Sequence, residues 1–132
     1  MTTMPMMIWP CLTSNDARGL IEFLTGIGFA ATFVMPDEGP VVEHAQLNWP
    51  EGGGVMLGSA GREEGDLADR VPGTASLYVV TDDPAQVLAR AEERGATVVR
   101  AGYRTDYGSF NVLFTDPEGN LWCFGTYRGE PA

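Results

Sequence analysis

Histidine, cysteine and basic residues are all scarce in this chain. Its 132 residues include one histidine, His44, and two cysteines, Cys11 and Cys123. Two cysteines are too few for a disulfide scaffold. Lys and Arg number 8 against 18 Asp and Glu, giving a net charge of −10. Nucleic acid and anionic membrane surfaces repel such a chain, so neither is expected as a partner. No run is long and apolar enough to span a bilayer. Residues 1–7 lack the basic start and long apolar stretch of a signal peptide. The expectation is a cytoplasmic protein that handles a neutral or cationic small molecule.

What is present is ordinary for a globular protein: 44% hydrophobic and 20% charged residues. The length suits a single domain, 1–132, with a working core.

The most informative feature is an internal repeat. Asp116-Pro117-Glu118-Gly119-Asn120-Leu121-Trp122-Cys123-Phe124-Gly125 echoes Pro50-Glu51-Gly52-Gly53-Gly54-Val55-Met56-Leu57-Gly58. The offsets 117 − 50, 119 − 52 and 125 − 58 are all 67, and Gly28 and Gly95 share the same offset. Two copies of one supersecondary unit follow, with paired sites facing each other across a pseudo-twofold axis.

Both copies read as βαβββ. In the first, 8–12 is a strand, and Ser14, Asn15 and Asp16 are N-cap candidates. Ala17, Leu20, Ile21 and Leu24 form one apolar helix face, closed by Gly26 and Gly28. Strands follow at 31–35, 41–49 and 55–58, the last two joined by a hairpin at 50–54. Residues 59–73 are a polar linker in which Arg62, Glu63 and Glu64 read as a solvated charge cluster. In the second copy, 76–80 is a strand and Asp82 or Asp83 caps a helix with Pro84 in its first turn. Val87, Leu88 and Ala91 repeat the apolar face, and Gly95 closes it. Strands at 97–101, 110–115 and 121–127 complete an α+β chain of two tandem modules, 8–58 and 74–128.

Two βαβββ units with an Asp-Pro-Glu-Gly-Asn hairpin, and Ile21-Glu22-Phe23-Leu24 before Gly28-Phe29, resemble the vicinal oxygen chelate superfamily. This is the family of glyoxalases, bleomycin-resistance proteins and extradiol dioxygenases. The resemblance implies half-cup mixed sheets with helices on the convex side. It also implies closure of two half-cups, from one chain or two, around a ligand or metal, and a homodimer.

Metalloenzymes of that family place a ligand on the first and last strand of each unit. The matching positions here are Trp9, Met56, Ser76 and Cys123. Trp9 cannot coordinate, Met56 and Ser76 are poor ligands, and Cys123 alone cannot hold an ion. No metal, no cofactor and no catalytic residue is therefore expected. The resemblance points to the metal-free, bleomycin-resistance-like branch, which binds and sequesters a small molecule as an antibiotic-resistance protein does. A glyoxalase-like lyase or isomerase is the alternative.

Strand alternation sorts the faces. If the four positions point into the cup, Cys11, Tyr78 and Leu121 do too, while Trp122 and Phe124 are core. Ala45, Leu47, Val112 and Phe114 are expected in the core, with His44, Gln46, Asn111 and Leu113 facing the cup. The expected wall is Trp9, Met56, Tyr78, Leu113 and Leu121, with His44, Gln46, Ser76 and Asn111 as polar points and Cys123 among them. Tyr103 and Tyr107 fall in a long connection expected to rim the cup. An apolar cavity with a few aimed hydrogen-bonding groups suits a planar aromatic ligand.

Overall fold

The computed structural model describes residues 8–65 and 69–131. The reading of residues 1–7 as carrying no signal, and the linker positions 66–68, lie outside the described residues. Each module begins with a short strand and a helix. β1 (Cys11–Ser14) leads into α1 (Ala17–Ile27), and β5 (Ser76–Val80) into α2 (Pro84–Glu93). Of the N-cap candidates, Asp16 and Asp83 make the caps. Their side chains accept from the backbone N–H of Gly19 and Gln86, at 3.0 and 3.1 Å. Gly28 closes α1 at φ 131°, a conformation that favours glycine.

Three strands complete each module: β2 (Ala30–Met35), β3 (His44–Asn48) and β4 (Gly54–Ser59), then β6 (Thr97–Arg104), β7 (Phe110–Thr115) and β8 (Leu121–Gly125). They form two four-stranded mixed sheets, ordered β1-β4-β3-β2 and β5-β8-β7-β6. The parallel pair sits at the same place in each sheet. Cys11 lies opposite Met56 and Tyr78 opposite Cys123, so the register keeps the 67-residue offset.

The expected strand bounds hold to within one residue except in β1, β3, β6 and β8; β1 runs on to Ser14 rather than residue 12, and β8 ends at Gly125 rather than residue 127. β1 begins at Cys11, not residue 8, and β3 begins at His44, not residue 41. β6 runs on to Arg104, so the expected long connection shrinks to a turn at 105–109. Thr105 and Ser109 close that turn through backbone and hydroxyl hydrogen bonds. Two register irregularities let β6 stay paired with β7 to its end.

One core serves both modules. α1 packs against α2, and the inner faces of both sheets pack beneath them. Phe23 of α1 meets Phe114 edge-on at 6.3 Å, Phe29 meets Trp122 at 5.6 Å, and Trp49 meets Phe124 at 5.2 Å. Each contact joins the first module to the second. The helices thus cover one side of both sheets, and the faces with Met56 and Cys123 remain open on the other.

The repeated hairpins lock this arrangement. The Glu118 carboxylate accepts from the Ser14 hydroxyl at 2.5 Å and from the N–H groups of Asn15 and Asp16 at 2.9 and 2.8 Å. The Glu51 carboxylate does the same in mirror fashion, accepting from the Thr81 hydroxyl at 2.6 Å and the Asp82 N–H at 2.8 Å. Each carboxylate therefore sits at the N-terminus of the other module's helix, where the helix dipole favours negative charge.

Candidate functional site

The open face is set by strand alternation. Along β4, Val55, Leu57 and Ser59 are buried while Gly54, Met56 and Gly58 are only half-buried. Along β8, Trp122 and Phe124 are buried while Leu121 and Cys123 are half-buried. His44 and Gln46 alternate with buried Ala45 and Leu47 on β3. On β7, Leu113 is half-buried between buried Val112 and Phe114. Asn111 belongs to the same face but is itself buried.

The two halves of this face are built differently. In the second module, several positions expected to line the cup bond to one another, although Tyr78 itself stays exposed. The Tyr78 hydroxyl donates to the Tyr127 carbonyl at 2.7 Å. Its ring lies over Gly125, where any β-carbon would overlap both Tyr78 and Asn111. Asn111 Oδ1 accepts from the Ser109 hydroxyl at 2.5 Å, and its amide faces the Tyr103 hydroxyl at 3.4 Å. Tyr103 is a β6 residue whose ring carries the Arg100 guanidinium 3.5 Å from its centroid. Tyr107, expected on a rim loop, stands at the β6–β7 turn with its ring 5.2 Å from that of Tyr127.

In the first module the equivalent of Tyr78 is Cys11, which is small and exposed. A cavity of about 290 Å³ remains, lined by Cys11, Glu43, His44, Met56, Gly58 and Arg62 among others. The Phe33 ring lies 5.2 Å from His44 and extends this wall. Gln46 donates to Asn48 Oδ1 at 3.0 Å. Trp9 packs over Gly54, which has no side chain to obstruct it.

Alternation assigns Trp9, Cys11 and Met56, and likewise Ser76, Tyr78 and Cys123, to one face without naming cross-strand partners. The register sets Cys11 beside Met56 and Tyr78 beside Cys123. Sequence reasoning missed Arg62, which it grouped with solvated Glu63 and Glu64. Glu63 and Glu64 are exposed, but Arg62 is half-buried against the cavity. The glycines at 58 and 65, whose bare backbone admits the guanidinium, were the available signal.

The donor chemistry does not fit a metal. Neither Cys11–Met56 nor Tyr78–Cys123 offers a hard or borderline ion a workable set. Among the described residues, no three His, Cys, Asp or Glu side chains converge on one point. Cys123 is also a poor nucleophile, because burial pushes its thiol pKa up, with the Tyr103 hydroxyl opposing this more weakly.

Among the described residues, no helix is long and apolar enough to cross a membrane. A family model described as the glyoxalase/bleomycin resistance protein/dioxygenase superfamily matches residues 7–124. No curated protein matches the chain. Similar solved structures include TioX from Micromonospora sp. ML1, at 23% identity and a TM-score of 0.76, with 92% of this chain and 98% of that one covered. An integron cassette protein of Vibrio cholerae reaches 22% identity and 0.67, with 96% and 99% covered. A glyoxalase/bleomycin resistance protein from Catenulispora acidiphila reaches 23% and 0.61, with 89% and 95% covered. At these identities the likeness is one of fold.

Proposed function

The chain belongs to the glyoxalase/bleomycin resistance protein/dioxygenase superfamily, and from that premise we propose that it binds and sequesters a small, planar, largely aromatic molecule without a metal ion. The observation that carries this reading is the donor chemistry of the open face. Where a metalloenzyme needs ligands, this chain has Trp9, Cys11, Met56, Ser76, Tyr78 and Cys123, a set suited to apolar contact. Trp9, Met56 and the His44–Phe33 pair form the ligand-facing wall of the first module, with Gln46 as a polar point. Leu113, Leu121, Ser76 and the Tyr78–Asn111–Tyr103 cluster form the opposite wall. The role is of the antibiotic-resistance type, exercised in the cytoplasm by a homodimer. Exposed edge strands β2 and β6 favour pairing with a second copy.

Two measurements test this. Calorimetric titration with aromatic natural-product antibiotics should give saturable binding in protein free of divalent ions. Elemental analysis that finds about one zinc, iron, nickel or manganese per subunit, lost on replacing His44, overturns it in favour of a lyase or isomerase.

A further inference from the structure

The cavity of the first module contains one charged group of fixed orientation. The Arg62 Nε donates to the Ser59 carbonyl at 3.0 Å. Its terminal nitrogens lie 3.1–3.3 Å from where β-carbons would stand on Gly65 and Gly58. A side chain at either glycine would crowd the guanidinium, so the two bare positions make its berth. Glu43 lines the same cavity. Yet among the described residues the ion pairs are made by Arg94 and Arg128, and none reaches Arg62. The position 67 residues on is Gly129, so the second module has no counterpart.

Among the described residues no ion pair engages the half-buried Arg62 guanidinium, and its planar fork matches a carboxylate through two parallel hydrogen bonds. Nε is already committed to Ser59, which leaves the terminal nitrogens to face the cavity. We infer that the ligand of the open face carries a carboxylate, bound by Arg62, with its aromatic ring over Met56 and beside His44. This rests on the reading of that face as a binding site and adds the ligand's charge to it. It departs from the neutral or cationic ligand that net charge alone suggests. The −10 belongs to the whole chain; at physiological salt, exposed charges are screened beyond about 8 Å, whereas Arg62 acts at contact distance.

The test uses two probes with one ring system, 2-naphthoate and 2-naphthamide, titrated calorimetrically into wild-type protein, Arg62→Met and Arg62→Lys. Wild type should bind the carboxylate about tenfold more tightly than the amide. Arg62→Met should bring the two within about twofold, with amide affinity unchanged. Arg62→Lys should fall between, keeping the charge but losing the fork. Thermal melts confirm that each variant is folded. Equal affinities in wild type, or a carboxylate preference that survives in Arg62→Met, overturn the role of Arg62 and leave open-face binding standing. Failure of both probes to bind overturns open-face binding as well.

Discussion

In the first module Trp9 lies over Gly54; at the matching positions of the second, Ser76 is paired with Leu121. Bulk has been exchanged between neighbouring strands while the backbone register is kept. One step along, only one strand changes: Gly58 and Gly125 are glycine in both modules, while Cys11 in the first corresponds to Tyr78 in the second. There the tyrosine has closed over the glycine, and Asn111, Ser109 and Tyr103 complete a hydrogen-bonded plug. In the first module the Arg62 guanidinium is the side chain nearest Gly58, beside the backbone oxygens of Glu43 and Val42, and a cavity remains. A duplicated fold can thus tie one half together internally and leave the other with an open cavity. Small residues decide which half is which.

The helix-facing side shows the opposite tendency. There both modules supply large apolar groups to one core, so the greatest effect is expected from emptying it. Trp122 is fully buried, stacks with Phe124 at 6.0 Å and donates its indole N–H to Asp116 at 2.8 Å. Trp122→Ala should lower stability by about 3–5 kcal/mol, read from denaturant or thermal melts. If the variant stays as stable as wild type but loses ligand binding, the assignment of faces is inverted.

The reciprocal carboxylates offer a second comparison. Glu118 is half-buried with three donors, while Glu51 is exposed with two. Glu118→Ala should cost about 1–3 kcal/mol, the range for charge-assisted hydrogen bonds at a helix N-terminus. Glu51→Ala should cost about 1 kcal/mol or less, because water replaces its lost partners. Equal losses in chemical denaturation count against the idea that burial separates the two latches.

Much of this architecture was legible in the sequence because the repeat is carried by residues with narrow conformational roles. Gly119 and Gly52 turn the hairpins at positive φ, and Leu20, Leu24, Val87 and Leu88 mark the helix faces. Alternation placed Ala45, Leu47, Val112, Phe114, Trp122 and Phe124 on the buried side. The positions that went astray depend on tertiary contacts. The partner of Met56 on the first strand, Cys11, was not named, because a parallel pairing leaves no local signal of register. Tyr103 was placed in a loop, because the irregular pairing that carries β6 to Arg104 follows from its neighbour β7. Glu51 and Glu118 read as turn residues, since their partners lie 30 and about 100 residues away in the chain.

The ligand-facing half is sharpened by Trp9→Ala. Loss of its half-buried ring should weaken 2-naphthoate binding by about 1–3 kcal/mol, or roughly five- to hundred-and-fifty-fold in Kd. Stability should change little by comparison. Tyr78→Phe, which removes only the hydroxyl tied to Tyr127, should leave Kd within about twofold, since that group already has its partner within the plug.

The smallest energetic effect, and the cleanest contrast between the halves, lies in the cysteines. Cys11 is exposed, whereas Cys123 is half-buried beneath the Tyr103 hydroxyl with its pKa raised chiefly by burial. Alkylation requires the thiolate, so iodoacetamide at neutral pH should label Cys11 well before Cys123, as peptide mass spectrometry would show. Raising the pH above the ordinary thiol range should narrow the gap. The sign of the linkage follows the same shift. A raised folded-state pKa makes a contribution to stability that is intact below the unfolded thiol pKa and is lost as pH climbs through the folded one. Cys123→Ala should remove that alkaline sag, while Cys11→Ala should leave it in place. If Cys123 labels first, the second half is open to solvent and is not the closed wall described here.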